Sequence, residues 1–167
     1  MKVRQKIFLF CLLSLLFIGC DRVTKDVVRN NLVEGVSTSY LHDTFRLVYV
    51  QNTDAALNLG DSLPPKLSLW LLSILPLIIL SIVFYYAIKN AGKMGSLKLL
   101  GICLIFAGGI GNIIDRIFFD RHVTDFMNVG IGNLRTGIFN FADMCVTTGV
   151  ILFLIFRNDK ATSALAT

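Results

Sequence analysis

Four apolar stretches dominate the pattern of hydrophobic and polar positions along the chain. They run from Ile7 to about Val28, from Leu67 to Ile88, from Leu99 to Ile114, and from about Ile138 to Phe156. A helix needs about 20 residues to cross the roughly 30 Å hydrocarbon core of a bilayer, or fewer when its ends are polar. The second stretch carries no charge, and the others fit if their charged ends line a protein-filled or watery cavity. The pattern therefore predicts four membrane-spanning helices.

The distribution of lysine and arginine predicts the orientation of these helices. Basic residues precede the first helix, fill the short link between the second and third, and follow the fourth: Lys2, Arg4, Lys6, Lys89, Lys93, Lys98, Arg157 and Lys160. Short cytoplasmic segments are enriched in such residues, so both termini are predicted to be cytoplasmic. Residues 29–66 and 115–137 then face outward, although they also contain arginines. A single integral-membrane domain is expected over residues 1–160, followed by a disordered cytoplasmic tail over 161–167.

The residue pattern of the first outer segment is too regular for an ordinary loop. Residues 45–51 are rich in β-branched and aromatic side chains, which predicts a strand and a small sheet outside the membrane. The pair Pro64-Pro65 marks the start of the second helix, because proline is tolerated in a first helical turn. Pro76 falls inside that helix and is expected to kink it.

Composition agrees with membrane residence and excludes several classes of protein. Hydrophobic residues make up 54% of the chain and charged residues only 16%, against about 25% charged in a typical soluble domain. The net charge of +5 is spread around the apolar stretches, without a stripe of basic and aromatic residues, so nucleic acid is not an expected partner. Neither the four cysteines nor the two histidines show metal-ligand spacing, and no metal or cofactor is expected.

The first apolar stretch also allows a second interpretation. Basic residues followed by a short apolar run and by Leu16-Phe17-Ile18-Gly19-Cys20 resemble a secretory signal that ends in a lipidated cysteine. Three further spans are unusual in a mature lipoprotein, so the first helix is expected to be retained.

Ionisable residues at membrane depth are costly and are therefore candidates for function. Asp21 and Lys25 lie four residues apart, on one face of the first helix, as expected of a structural ion pair. The third helix ends in Asn112, Asp115 and Arg116, after a small-residue pair, Ala107 and Gly111, that permits close helix packing. By the predicted topology, all of these lie at the outer face.

Asparagine and aspartate also occur around the start of the fourth helix. Asn140 and Asp143 share one helical face, and a helix N-terminus stabilises a carboxylate such as Asp143. Asp125 lies between apolar neighbours just upstream, and on these grounds alone Asp115 is as conspicuous as Asp125. A phosphate loop lacks its Gly-Lys-Ser/Thr, and Cys145 and His122 lack the partners of a cysteine or serine hydrolase.

Five segments in order resemble the motifs of the lipoprotein signal peptidase (signal peptidase II) family. They are Asp21-Arg22-Val23-Thr24-Lys25, Asn52-Thr53-Asp54-Ala55-Ala56-Leu57, the run Gly108 to Arg116, Val123-Thr124-Asp125-Phe126, and Phe139-Asn140-Phe141-Ala142-Asp143. Each motif is weak alone, but the five together cover nearly the whole chain.

The resemblance implies an all-α membrane protein, a four-transmembrane-helix bundle with a small extracytoplasmic β-cradle and a short surface amphipathic helix. It implies an aspartic endopeptidase of the bacterial inner membrane that cleaves prolipoproteins before a diacylglyceryl-modified cysteine, among membrane lipids. Hydrolysis by two carboxylates requires no cofactor, and a four-helix bundle needs no partner chain, so a monomer is expected. Inhibition by the cyclic peptide globomycin is also expected. Asp125 and Asp143 match the catalytic aspartates. The supporting positions are matched by Asn52, Asn112, Asp115, Arg116, Asn140, Asp21 and Lys25.

Three residues depart from the family pattern. Arg22 replaces glutamine, Asp54 replaces glycine and Leu57 replaces phenylalanine. These changes affect the expected cradle and substrate preference rather than the two aspartates. The alternative is therefore a divergent or inactive paralogue that acts as a non-catalytic membrane protein.

Overall fold

The structure is a computed structural model that describes residues 1–52 and 64–159. Its helices are α1 (Val3–Asn31), α2 (Pro65–Leu69), α3 (Leu75–Asn90), α4 (Ser96–Phe118) and α5 (Phe141–Ile155), and a π-helical segment, Trp70–Ile74, joins α2 to α3. Its strands are β1 (Ser37–Tyr40), β2 (Phe45–Asn52), β3 (Val123–Ile131) and β4 (Leu134–Arg135). The predictions for Asp54, Leu57 and the tail 161–167 fall outside the described residues.

Three of the helices are long and apolar enough to cross a membrane: α1, the continuous helix Lys66–Asn90, and α4. Large apolar side chains on them face outward, such as Phe8, Leu15 and Ile82, which are 67%, 69% and 62% exposed. Outward-facing apolar side chains on such long helices are typical of a multi-pass membrane protein. Helix α5 is equally apolar but has only 15 residues, so the count of four spans stays a prediction.

Proline defines both the start and the irregular part of the second predicted helix. That helix begins at Pro65, as predicted from the Pro64-Pro65 pair. Pro76 has no N–H to donate to the carbonyl of Leu72 four residues earlier, which interrupts regular α-helical bonding. The helix is π-helical just before this position, where the N–H of Leu75 bonds to the carbonyl of Trp70. The irregularity thus falls beside the proline from which a kink was predicted.

Helix α4 lies at the centre of the bundle and packs against α1, α3 and α5. The predicted small-residue surface explains how closely these helices approach. A Cβ at Gly111 would lie 2.6 Å from a carboxylate oxygen of Asp21 on α1 and 3.3 Å from the Cβ of Ala142 on α5. Any larger residue at Gly111 would separate three helices at the level where their polar residues meet.

The four strands form one antiparallel sheet in the order β1-β2-β3-β4. The strand predicted over residues 45–51 is confirmed as β2, and the sheet pairs Val50 with Asp125 and Asn52 with Val123. A small apolar cluster packs the sheet against the last turns of α1 and contains Val28, Tyr49 and Phe126. The end of the bundle that carries this sheet is called the sheet end below.

Candidate active site

Asp125 lies near the start of β3, at the sheet end, with only 4% of its surface exposed. Its Oδ1 accepts a hydrogen bond from Nδ2 of Asn140 at 2.6 Å, and its Oδ2 accepts one from Nδ2 of Asn52 at 2.9 Å. Asn52 reaches Asp125 because Val50 is the direct partner of Asp125, and residues two apart on a strand share one face of the sheet. Both oxygens of this carboxylate are therefore held by neutral amides.

Asp143 lies in the first turn of α5, where a helix terminus presents free N–H groups. Asn140 is the N-cap, with its Oδ1 accepting from the backbone N–H of Asp143 at 3.0 Å. In return, Oδ2 of Asp143 accepts from the backbone N–H of Asn140 at 3.0 Å. This reciprocal capping box fixes the carboxylate. Its Oδ1 accepts from Nδ2 of Asn112 on α4 at 2.8 Å.

Asn140 connects the two aspartates, since its backbone bonds to Asp143 and its side chain bonds to Asp125. The amide of Asn112 is oriented by its other neighbours. Its Oδ1 accepts from Nζ of Lys25 at 3.0 Å and from Nδ2 of Asn140 at 3.1 Å. Because a lysine ammonium can only donate, this oxygen must face Lys25, and the NH2 group must face Asp143. Asp125, Asp143, Asn52, Asn112 and Asn140 are called the amide-held group below.

A second set of polar residues lies beside the first and consists of acids paired with cations. We call it the cation-paired group: Asp21, Arg22, Lys25, Arg29 and Asp115. Asp115 is fully buried and contacts three cations at 2.7 Å each, namely Nζ of Lys25 and guanidinium nitrogens of Arg22 and Arg29. Asp21 contacts Lys25 at 2.9 Å and Arg22 at 3.1 Å. The ion pair predicted from the spacing of Asp21 and Lys25 is thus present, within a larger network.

The cation-paired group also reaches the elements that carry the two central aspartates. Asp21 accepts a hydrogen bond from the backbone N–H of Ala142, the residue before Asp143, at 3.0 Å. Asp115 accepts one from the backbone N–H of Thr124, the residue before Asp125, at 3.4 Å. Each paired acid therefore holds the backbone next to one of the central aspartates.

Arg116 lies on the side of α4 that faces the amide-held group. One of its guanidinium nitrogens donates to the backbone carbonyl of Asn112 at 3.4 Å. Its charge interacts with those of Asp143, Asp125 and Asp115. It therefore adds a positive potential beside the central carboxylates.

Burial raises the pKa of Asp125 to about 6. The cost of removing a carboxylate from water is the largest cause, and the negative charge of Asp143 raises the pKa further. Hydrogen bonds from Asn52 and Asn140, and the charge of Lys25, act in the opposite direction. Asp125 can therefore hold or release a proton near neutral pH.

A cavity of about 500 Å³ opens beside Asp143, between α5 and the segment that precedes it. Asp143, Met144, Thr147 and Thr148 line it from α5, and Phe139 lines it from the preceding segment. This opening gives Asp143 access from the side of the bundle.

All nine residues selected from the sequence meet at the sheet end, where every one has a polar or charged partner among the others. Three further residues take part: Arg22, which departs from the family pattern, Arg29, which the predicted topology places in the outer segment 29–66, and Thr124. A signal for Arg29 was available, because Asp21, Lys25 and Arg29 recur at intervals of four along one face of α1. All four cysteines are free, and within residues 1–52 and 64–159 no group of three or more histidine, cysteine or acidic side chains is arranged to hold a metal ion.

Comparison with known proteins gives consistent results. The family model described as signal peptidase (SPase) II matches residues 13–157. The chain is 40% identical over 132 residues to the lipoprotein signal peptidase of Borrelia duttonii, covering 75% of this chain and 76% of that protein. It is 37% identical over 155 residues to that of Borreliella burgdorferi, covering 90% and 88%. A solved structure of a bacterial membrane enzyme superposes with a TM-score of 0.73 at 30% identity, covering 87% of this chain and 90% of that one.

Proposed function

Because the chain belongs to the signal peptidase II family, we propose that it removes signal peptides from bacterial prolipoproteins as an aspartic endopeptidase. Asp125 and Asp143 are the proposed catalytic residues. The observation that carries this proposal is the bridge through Asn140, which holds both carboxylates in one amide network. Within residues 1–52 and 64–159, neither carboxylate forms an ion pair with a lysine or arginine. Asp21 and Asp115 bond directly to cations and are suited to support instead.

Hydrolysis of a peptide bond needs a base that activates water and an acid that protonates the leaving nitrogen. Two neighbouring carboxylates supply both, because their like charges disfavour double ionisation and the pair retains one proton. The raised pKa of Asp125 supports a shared proton. The ionised partner then accepts a proton from water, and the protonated partner polarises the scissile carbonyl and later donates to nitrogen. Arg116 and the three asparagines orient the pair, and no metal or cofactor takes part.

The proposed substrate is a prolipoprotein with a diacylglyceryl-modified cysteine, cut just before that cysteine. The cavity beside Asp143 supports access for such a substrate, since it opens laterally from apolar helix α5. A lipid-anchored chain could therefore approach the carboxylates within the bilayer plane. We also propose that the chain has the short amphipathic surface helix of the family and forms a single domain over residues 1–160.

The proposed location is the inner membrane, with four spans, both termini in the cytoplasm and the site at the outer face. In this arrangement α5 is the fourth span. Its 15 residues are short for a bilayer, but its first turn is polar, with Asn140 and Asp143 at the sheet end, and a span with polar ends needs fewer residues. The arrangement needs no partner chain, so a monomer is expected.

The test is cleavage of a synthetic diacylglyceryl-prolipoprotein by the full chain in detergent. Asp125→Asn and Asp143→Asn should each lower the rate by about 10²–10⁴-fold, because each removes one acid or base function. Mass spectrometry should place the cut before the lipidated cysteine, and globomycin should block it. Asp26→Asn is a matched control, since this aspartate is 59% exposed and lies outside the proposed dyad.

Two outcomes would count against the proposal. Full activity in either dyad variant refutes the assignment of that aspartate. A folded wild type that cleaves no lipidated substrate favours the non-catalytic paralogue. The intact mass of the purified chain checks the separate hypothesis of a lipidated Cys20, which requires residues 1–19 to be absent.

A further inference from the structure

Arg29 occupies the last turn of α1, and its side chain is only 15% exposed despite its charge. Its Nε donates to the hydroxyl of Thr124 at 2.8 Å, and one terminal nitrogen donates to Asp115 at 2.7 Å. The other terminal nitrogen contacts the exposed Asp26 at 3.2 Å. The guanidinium carbon lies 3.6 Å from the centre of the Phe119 ring, at the end of α4. One side chain thus joins α1, α4 and β3.

Thr124 is almost completely buried and is held from two directions. Arg29 binds its hydroxyl, while Asp115 accepts from its backbone N–H. Successive side chains of a strand point to opposite faces of the sheet. The contacts that hold Thr124 on one face therefore also fix the position of Asp125, whose side chain lies on the other face. On that face, Asp125 meets Asn52 and Asn140.

A simpler role for Arg29 is the general stabilisation of a helix C-terminus by a basic residue. That role needs only a positive charge, which lysine also supplies. It does not account for three directed contacts to three elements or for the stacking on Phe119. A planar guanidinium can satisfy these together, whereas an ammonium cannot both stack and reach each partner.

On the basis of the proposed function, we infer that Arg29 is a positioning residue. It acts through Thr124 to hold Asp125 at its position relative to Asp143. Arg29 contacts no reacting atom in this role. Other residues supply the charges that act on Asp125, so the contribution of Arg29 is geometric: it connects β3 to the ends of α1 and α4. Small displacements of catalytic groups have large effects on rate, because the reacting geometry must be held closely.

The experiment compares Arg29→Lys, Thr124→Val and Thr124→Ser with wild type in the detergent cleavage assay. Arg29→Lys and Thr124→Val should each lower kcat about 10- to 100-fold with little change in KM. Thr124→Ser keeps the hydroxyl and should retain wild-type kcat. Because both substitutions break the same hydrogen bond, between Arg29 and Thr124, the double variant should lose no more of kcat than the worse single variant. Asp26→Asn removes only the exposed contact of Arg29 and should have no effect.

A second measurement does not depend on cleavage. The carboxyl ¹³C signal of Asp125, assigned by its absence in Asp125→Asn, is titrated in each variant. The charges that act on Asp125 come from Asp143 on α5, Lys25 on α1 and Arg116 on α4. Displacing Asp125 from its buried position should move its pKa toward the ordinary value in Arg29→Lys and Thr124→Val, but not in Thr124→Ser or Asp26→Asn.

The outcomes separate this inference from the proposed function. If wild type cleaves nothing but the Asp125 titration still responds as expected, the proposed function fails and the positioning role stands. If wild type cleaves and Arg29→Lys and Thr124→Val keep wild-type kcat and titration, the positioning role fails alone. A loss of rate that only matches the loss of folded protein, measured by thermal unfolding, also overturns it.

Discussion

The sheet end holds two neighbouring pairs of acids that differ in what surrounds them. Asp21 and Asp115 bond to ammonium and guanidinium groups, whereas Asp125 and Asp143 bond to asparagine amides and backbone N–H groups. A carboxylate paired with a cation is held in its ionised form, because the opposite charge stabilises that form. Asp125, which is buried and held by neutral donors, has a pKa raised to about 6. Of these two pairs of aspartates, the amide-held pair contains Asp125, and its raised pKa suits it to exchange protons.

The two groups also differ in what their loss should do. The cation-paired group links α1 to α4, β3 and α5, so it is expected to govern folding. The amide-held group lies at the end of this frame and beside a cavity, so it is expected to govern chemistry. The following predictions test this division.

The largest effect on stability is expected for Asp115→Asn. This change leaves the fully buried Lys25, together with Arg22 and Arg29, without their shared counter-charge. Breaking a buried ion pair by removing one partner costs about 3–5 kcal/mol. Thermal unfolding in detergent should show a large loss of stability for Asp115→Asn, whereas Asp143→Asn should unfold at a temperature close to that of wild type. Equal losses in the two variants would remove the distinction between the groups.

A smaller loss of stability is expected from a substitution that disturbs the helix packing beside the cation-paired group. In Gly111→Ala the added Cβ would lie 2.6 Å from a carboxylate oxygen of Asp21, which is itself fixed by Lys25. Overpacking of this kind costs about 1–3 kcal/mol. Gly109→Ala is the matched control, since its Cβ would meet only the end of the Leu80 side chain, which can move. Thermal unfolding of both variants checks this, and a larger loss in Gly109→Ala would contradict it.

Asn140 allows stability and chemistry to be separated at one residue. Asn140→Ala removes the N-cap of α5, which costs about 1–2 kcal/mol, and also removes the bond to Asp125. Asn140→Ser keeps a capping oxygen but no longer has the Nδ2 donor. We expect Asn140→Ser to unfold near wild type and yet to lose cleavage activity. Wild-type cleavage in Asn140→Ser would show that the bridge is not needed.

The smallest expected effect concerns proton binding by Asp125. Its pKa of about 6 should fall in Asp143→Asn, because one negative charge is removed, but should stay above the ordinary value of 3.8, because burial is the larger cause. A raised carboxyl pKa means that the folded state binds more protons than the unfolded state. This contribution to stability is therefore present at low pH and is lost as pH rises from about 4 through 6. Carboxyl NMR titration measures the shift, and an unchanged pKa would show that the two aspartates do not interact.

Local patterns anticipated much of the fold. The helices follow the apolar stretches within a few residues, and β2 follows the β-branched and aromatic run from Phe45. Strand β3 was missed, although Asp125 lies in it, because its pairing with β2 joins residues more than 70 positions apart. Such pairing leaves little local signal, since neither strand reveals its partner.

The sequence by itself determined the membrane-type architecture, the family to which the chain belongs and nine of the polar residues that meet at the sheet end. The length of an apolar stretch, the position of a proline and a short motif are local properties. They can be recognised in the sequence without knowledge of any long-range contact. Only the tertiary structure decided which acids are paired with cations and which are held by amides. That distinction depends on Lys25 reaching Asp115 and Asn112 on α4, and on Asn140 lying between Asp125 and Asp143. The environment of a carboxylate sets its charge state, and here that environment comes from four separate elements of the fold.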